Sequence, residues 1–221
     1  MIKALIPVRA GSQRIKNKNI RPFAESSLLE IKIRQLQRID RIDEVCVNSD
    51  SQEMLELASQ LGATPIERDP YYATSLVPMN EVWANMAENM SCTDILYTNA
   101  TSPLVKDESY EELLDLWFER HSTSDYPYDS ITTTHEVIEY LWDGVTPINY
   151  DPNHHPRSQD LPEYFGLNFA ISIIPRKLMI SRKSILGKDF LPFKLDKVEC
   201  LDIDEIDDFE IAEIIYKGLR Q

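Results

Sequence analysis

The chain has 221 residues, of which 43% are hydrophobic and 27% charged, a composition that suits one ordinary globular domain with a sizeable core. Its 37 acidic residues against 23 basic ones give a formal net charge of -14, which argues against nonspecific binding to nucleic acid or to an anionic membrane surface. Cys46, Cys92 and Cys200 are odd in number and lack CxxC spacing, so neither a disulfide framework nor a thiolate metal site is expected; with no signal-peptide pattern and no apolar run of membrane-spanning length, a cytoplasmic protein is expected.

The first expected strand, "KALIPV" (3–8), runs into a basic loop, "RAGSQRIKNKNIR" (9–21). Lys3, Arg9, Arg14, Lys16, Lys18 and Arg21 all precede the first acid, Glu25, so an anionic ligand would be captured locally in an otherwise repelling protein. A helix follows over "SLLEIKIRQLQRI" (27–39), a strand over "EVCVNS" (44–49) and a helix over "SQEMLELASQLG" (51–62), the last with Asp50 or Ser51 as N-cap and Gly62 after its end. Next come a helix over "MNEVWANMAENM" (79–90), a strand over "DILYTN" (94–99) and a helix over "DESYEELLDLWFERH" (107–121). Strands are expected at "DSITTTH" (129–135), "NFAISII" (168–174) and "VECLDID" (198–204), and a last helix at "DDFEIAEIIYKGL" (207–219). Between two of these strands, residues 136–166 are rich in Pro and aromatics with weak periodicity, which marks an excursion from the sheet, either a lid or a dimerisation arm.

Strands alternating with helices indicate an α/β protein with a mostly parallel sheet covered on both faces, whose ligands bind beyond the carboxyl ends of the strands. The basic loop, Asn48-Ser49-Asp50 and Asn99 all fall at that edge. Gly11 and Ser12 can point backbone amides at an anion while Arg and Lys neutralise it, although this loop lacks the second Gly of a Walker A motif. A merely solvated basic loop is the alternative. In "CLDIDEIDD" (200–208), strand alternation would send Asp202 and Asp204 to one face, and paired carboxylates with phosphate and water oxygens suit Mg2+. Alternatively these acids only mark an exposed strand end. Together the two features make a site for a polyphosphate with its metal, as phosphoryl and nucleotidyl transfer require.

"LIPVRAGSQRIKNKNI" closely resembles the signature of the CMP-sialic acid synthetases, or acylneuraminate cytidylyltransferases, which activate acidic nonulosonic sugars with CTP. The related Kdo cytidylyltransferases typically end this motif with Gly-Lys-Pro-Leu, where this chain has "NKNI". The resemblance continues in order through "VNSDSQEMLELASQLGA", "ERDPYYA", "NATSPL", "PRSQDLPEYFGLNFAI" and "LDIDEIDDFEIAE". It implies a single Rossmann-like nucleotidyltransferase domain over 1–221, Mg2+ as cofactor, and a homodimer whose arm completes the partner's sugar site. By residue, it implies that Arg9, Ser12, Lys18 and Asn19 hold the triphosphate, with Arg9 and Lys18 catalytic, and that Arg68 lies near cytosine. Asn99, Arg157 and Asn168 match sugar-binding positions, and Asp202 and Asp204 match the metal-binding aspartates.

Departures from the family pattern fall at Met79, roughly where a ribose-contacting Ser is usual, at Val105 in place of a basic residue, and at Phe169 in place of a Gly, where it would crowd the sugar. They suggest a different acceptor, such as a modified nonulosonic acid. A Kdo-like acid, a phosphorus compound, or a nucleotide-binding module without turnover are the alternatives. His154-His155 on a Pro-rich loop is expected to face solvent, and Trp83 and Trp117 sit at core spacing.

Overall fold

β1 (Ile2–Pro7) lies inside a seven-stranded sheet, and its residues show why: Ala4 and Ile6 join one apolar cluster while Leu5 joins another, so both faces of the strand are buried. The structure is a computed structural model that describes residues 1–12, 14–119 and 126–219. A two-stranded hairpin, β2 (Pro22–Phe23) and β3 (Ser26–Ser27), leads into α1 (Leu28–Leu36), capped by the Ser27 hydroxyl accepting from the Glu30 amide. β4 (Glu44–Ser49) is followed by α2 (Gln52–Gln60) and β5 (Thr64–Glu67), then by a 3-10 turn at Pro70–Ala73 and α3 (Met79–Glu88). β6 (Asp94–Thr98), buried along its whole length, leads to α4 (Asp107–Glu119); the last two residues of the helix expected over 107–121 lie outside the described residues. β7 (Ser130–Val137), β8 (Tyr164–Pro175), α5 (Arg176–Arg182), β9 (Phe190–Lys194) and α6 (Ile206–Gly218) complete the chain.

The strand order is β5-β4-β1-β6-β8-β7-β9. Every pairing is parallel except those of β8, which runs antiparallel to both β6 and β7. The mostly parallel sheet expected from the βα alternation is therefore present, with one reversed strand inserted. Helices α1, α4 and α6 pack on one apolar cluster, which includes fully buried Trp117, and α3 and α5 pack on the other, against which Trp83 rests.

Five elements escape the sequence pattern: the hairpin strands β2 and β3, the strands β5 and β9, and α5. β5 and β9 are the two edge strands, each short and each carrying a proline, Pro65 and Pro192, tolerated where a missing N–H leaves no ladder partner unsatisfied. α5 has only seven residues. In turn, the strand expected over 198–204 does not form. Its first residues fold into a turn, with Cys200 N donating to Asp196 O at 3.1 Å, and Glu199 is drawn away to accept from Lys106 N and from Ser109 Oγ at the start of α4.

The excursion begins later and ends earlier than 136–166, because β7 runs to Val137 and β8 starts at Tyr164. Residues 138–163 form an arm held by an antiparallel bridge between Trp142 and Pro147 and by packed rings of Tyr140, Tyr150 and His155. His155 is thus part of an aromatic stack, while His154 contacts Asp151 at 3.1 Å. No group of three His, Cys, Asp or Glu side chains suited to a metal occurs among the described residues.

Candidate active site

The carboxyl ends of β1, β5 and β6 open on a cleft of about 660 Å³. One wall is the loop after β1. Val8 N donates to Asn48 O at 3.0 Å, anchoring the loop to β4, and Ala10 N donates to Asp50 Oδ1 at 2.9 Å. Asp50 is therefore a brace for this loop and not a helix cap: Ser51 caps α2, accepting from the Met54 amide. Gly11 has φ 71°, which a residue without Cβ adopts freely as the chain turns under the cleft.

Of the basic residues at the N-terminus, Arg9, Arg14 and Lys18 line the cleft together with Ser12 and Asn19. Lys3 pairs instead with Glu44 on the sheet, and Arg21 lies 5.5 Å from the centre of the Phe209 ring. Arg9 is anchored by Nη1 donating to Ala73 O at 3.2 Å. Lys18 Nζ donates to Ile203 O and lies 3.9 Å from Asp204; burial pushes its pKa down, while Asp202 and Asp204 pull it up. Asn19 is buried, and its carbonyl accepts from Leu29 N at the start of α1.

Asp202 and Asp204 flank buried Ile203, whose amide donates to Thr101 O at 2.9 Å. The exposure alternates here, with Asp202 and Asp204 exposed about buried Ile203, and of the two carboxylates Asp204 lines the cleft. Asp204 is ion-paired with Arg14 at 2.7 Å. Asp202 keeps exposed surface, yet protein crowds its other side, so burial pushes its carboxyl pKa up and the Asp204 charge adds to that, against the Thr101 hydrogen bond and Lys18. Below them α6 begins with a capping box between Glu205 and Asp208.

At the other end, Arg68 is buried and fixed by two bonds to one residue: Nε to Asn48 Oδ1 at 2.6 Å and Nη2 to Asn48 O at 2.9 Å. Around it stand Tyr72, Val77, Met79, Val82, Met86 and Tyr97, an apolar wall that the sequence motifs did not single out apart from Met79. Its members lie on three different elements, so no single periodicity could mark them.

Asn99 lines the cleft after β6, its Nδ2 donating to Phe169 O at 3.2 Å. Phe169 does not crowd the cleft: its ring packs against the second apolar cluster. Its backbone has φ 52°, beside the register shift between Thr132 and Thr134, a conformation that costs a bulky residue roughly 1–3 kcal/mol. Asn168 is fully engaged in holding this irregularity, its Oδ1 accepting from Thr133 Oγ1 and Ala170 N and its Nδ2 donating to Cys200 Sγ. Arg157 stands apart from the cleft, exposed on the arm and paired with Asp160 through Nε at 2.7 Å and Nη2 at 3.1 Å. Val105 is a core residue, its carbonyl accepting from Gln35, so that departure lies outside the site.

A family model described as Cytidylyltransferase matches residues 3–143. The pseudaminic acid cytidylyltransferase of Campylobacter jejuni is 27% identical over 220 residues, covering 96% of this chain and 95% of its own. The N-acylneuraminate cytidylyltransferase of Escherichia coli is 25% identical over 217 residues, covering 96% of this chain and 51% of its own. Among solved structures, CMP:2-keto-3-deoxy-manno-octonic acid synthetase complexed with CTP shares the fold, with a TM-score of 0.72 at 12% identity over 99% of both chains. The family match takes in the basic loop, the Arg68 segment and the Asn99 loop, the three stretches that the sheet brings to one edge, and this chain belongs to the cytidylyltransferase family.

Proposed function

We propose that this protein transfers CMP from CTP to an acidic nonulosonic sugar, releasing pyrophosphate. The observation that carries this reading is the concentration of Arg9, Arg14 and Lys18 along one cleft of a protein with net charge -14, together with Asp204 and the Asn99 loop. Such a cleft takes a polyanion at one end and an acceptor at the other. The relatives named for pseudaminic and N-acylneuraminic acids support the acceptor class.

In this reading the sugar's anomeric hydroxyl attacks the α-phosphorus in line. Arg9 and Lys18 neutralise the charge that grows on the bridging oxygen and on departing pyrophosphate, while Ser12, Asn19 and the loop amides orient the phosphates. Arg68, held rigid by Asn48, presents its remaining N–H groups to the acceptors of cytosine. Asp202 and Asp204 suit Mg2+, since two carboxylates leave the other positions to phosphate and water oxygens, as that ion prefers. When bound, the ion would neutralise phosphate charge and lower the pKa of the attacking hydroxyl. Asn99 reads the acceptor, with Asn168 shaping the turn behind it.

We infer a homodimer as well. The arm leaves Ile138, Trp142, Val145 and Ile148 exposed, next to exposed Phe165 on β8, and a second copy covering them would receive Arg157 at its own cleft. There its guanidinium could grip the sugar carboxylate bidentately. Pyrophosphate release with each nucleoside triphosphate against a panel of sugar acids tests the reading. CTP with a sialic-like acid should turn over; equal turnover with ATP or UTP would overturn the nucleotide half, and turnover only with a Kdo-like acid or a phosphorus compound would overturn the acceptor half.

A further inference from the structure

Beneath the acceptor end of the cleft lies a lysine that this chemistry does not use. Lys32, on α1, is fully buried, and its Nζ lies 2.7 Å from Gln35 Oε1, 3.0 Å from Ser102 O and 2.8 Å from the Tyr110 hydroxyl. Three donors meet three acceptors. The directions are forced along the chain of bonds: Thr98 Oγ1 gives its one proton to Ala170 O at 2.7 Å, so it accepts from the Tyr110 hydroxyl 2.8 Å away, and the Tyr110 oxygen accepts from Lys32. Gln35 adds a second tie, donating to Val105 O at 2.6 Å, so α1 holds the loop at Ser102 and again at Val105. Asn99, Ala100 and Thr101, which line the cleft, come immediately before Ser102, and Thr101 O carries the Asp202–Asp204 segment through the Ile203 amide.

We propose that Lys32 is a positioning residue of the site: the bonds from its buried Nζ to Ser102 and Tyr110 fix the Asn99–Thr101 loop, and so aim the acceptor-facing groups, without touching either substrate. An apolar side chain of similar size would fill the same space but leave the buried oxygens of Ser102 and Gln35 without this donor, so what Lys32 supplies here is the set of bonds and not the packing. The proposal rests on the reading of Asn99 and Thr101 as acceptor-facing.

Protonation supplies a second handle. Burial pushes the Lys32 pKa down to about 7, against the pull of Asp107; Asp107 and Tyr110, both on α4, are the titratable groups that face it. A neutral amine has only two N–H groups and a lone pair, so either one of the three bonds is lost or the Tyr110 hydroxyl turns from Thr98 to the amine; the network loses one bond either way, and the loop slackens as pH rises through about 7.

The test uses the full chain with Lys32→Met and Tyr110→Phe. Amide exchange of the peptide spanning 99–104 is measured in the free protein, and KM for the sugar acid and for CTP from about pH 6 to about pH 8.5. In Lys32→Met, exchange in that peptide should rise about tenfold with β4 unchanged, and the sugar KM should rise about tenfold with the CTP KM within about twofold. The wild-type sugar KM should climb through pH 7 and that of Lys32→Met should be flat, while Tyr110→Phe shows a smaller effect of the same sign and keeps the pH dependence. Unchanged exchange over 99–104, or a rise across the whole molecule with both KM values moving together, would overturn the proposal. Absence of turnover by the wild type with every sugar acid would remove the acceptor reading instead, and the exchange measurement would still decide whether Lys32 holds the loop.

Discussion

Arg14 and Asp204, 190 positions apart in the chain, are joined by a hydrogen-bonded ion pair of 2.7 Å that closes one end of the cleft. The loop that would hold the triphosphate and the carboxylate that would share its metal are thus in contact before either ligand arrives. Asp204→Asn removes the carboxylate from both partners. Because the pair is half exposed, we expect a loss of stability under about 1 kcal/mol. Turnover should fall at least about a hundredfold and lose its dependence on Mg2+ concentration. Melting curves and a Mg2+ titration of turnover check both; normal turnover would place the metal elsewhere.

Lys18 is less exposed than a loop lysine in so basic a stretch would suggest, and its bond to Ile203 O holds the carboxylate segment. Lys18→Ala should therefore cost about 1 kcal/mol of stability, the worth of one ordinary hydrogen bond, but at least about a hundredfold in kcat, because a preorganised cation at a developing charge is lost. A fall in kcat no larger than the stability loss would leave Lys18 a structural tie.

Arg157 has a local partner in Asp160, which gives a clear control. Arg157→Lys should raise the sugar KM severalfold and leave the CTP KM nearly unchanged, since a point charge replaces a planar fork on one substrate only. Asp160→Ala should not reproduce that effect. If both variants instead lower the melting temperature and shift both KM values together, Arg157 serves the arm alone.

The buried Lys32 also has a thermodynamic signature. Its folded pKa of about 7 lies below the ordinary 10.5, so between those values the unfolded chain binds the extra proton, and stability from this group rises with pH. The difference in unfolding free energy between wild type and Lys32→Met should change in favour of the wild type from pH 7 upward, at up to about 1.4 kcal/mol per pH unit. A difference independent of pH would mean that Lys32 titrates normally.

Much of this architecture was legible in the sequence because the inner strands are buried on both faces. β1, β4 and β6 read as short continuous apolar runs, and polar residues stand out where those runs end, which located the basic loop, Asn48 to Asp50, and Asn99. The edge strands were hidden by Pro65 and Pro192, which in isolation argue against a strand. Asp202 and Asp204 alternate in exposure with buried Ile203, as in a strand, but in a segment with no ladder. The resemblance implies a sugar-binding Asn168, and the structure engages its amide with Thr133, Ala170 and Cys200, contacts set by a register shift that no local pattern announces. The support beneath the loop, Lys32 with Tyr110 and Ser102, joins residues about seventy and more positions apart and could not be read from either segment alone.

The most direct measurement is 31P NMR of the purified protein with CTP, Mg2+ and a sialic-like nonulosonic acid, following CMP-sugar and pyrophosphate in one sample. The account predicts one pyrophosphate for each new CMP-sugar phosphodiester, and neither product when the sugar is omitted. Pyrophosphate appearing with free CMP, or CTP left intact beside every acidic sugar supplied, would contradict it.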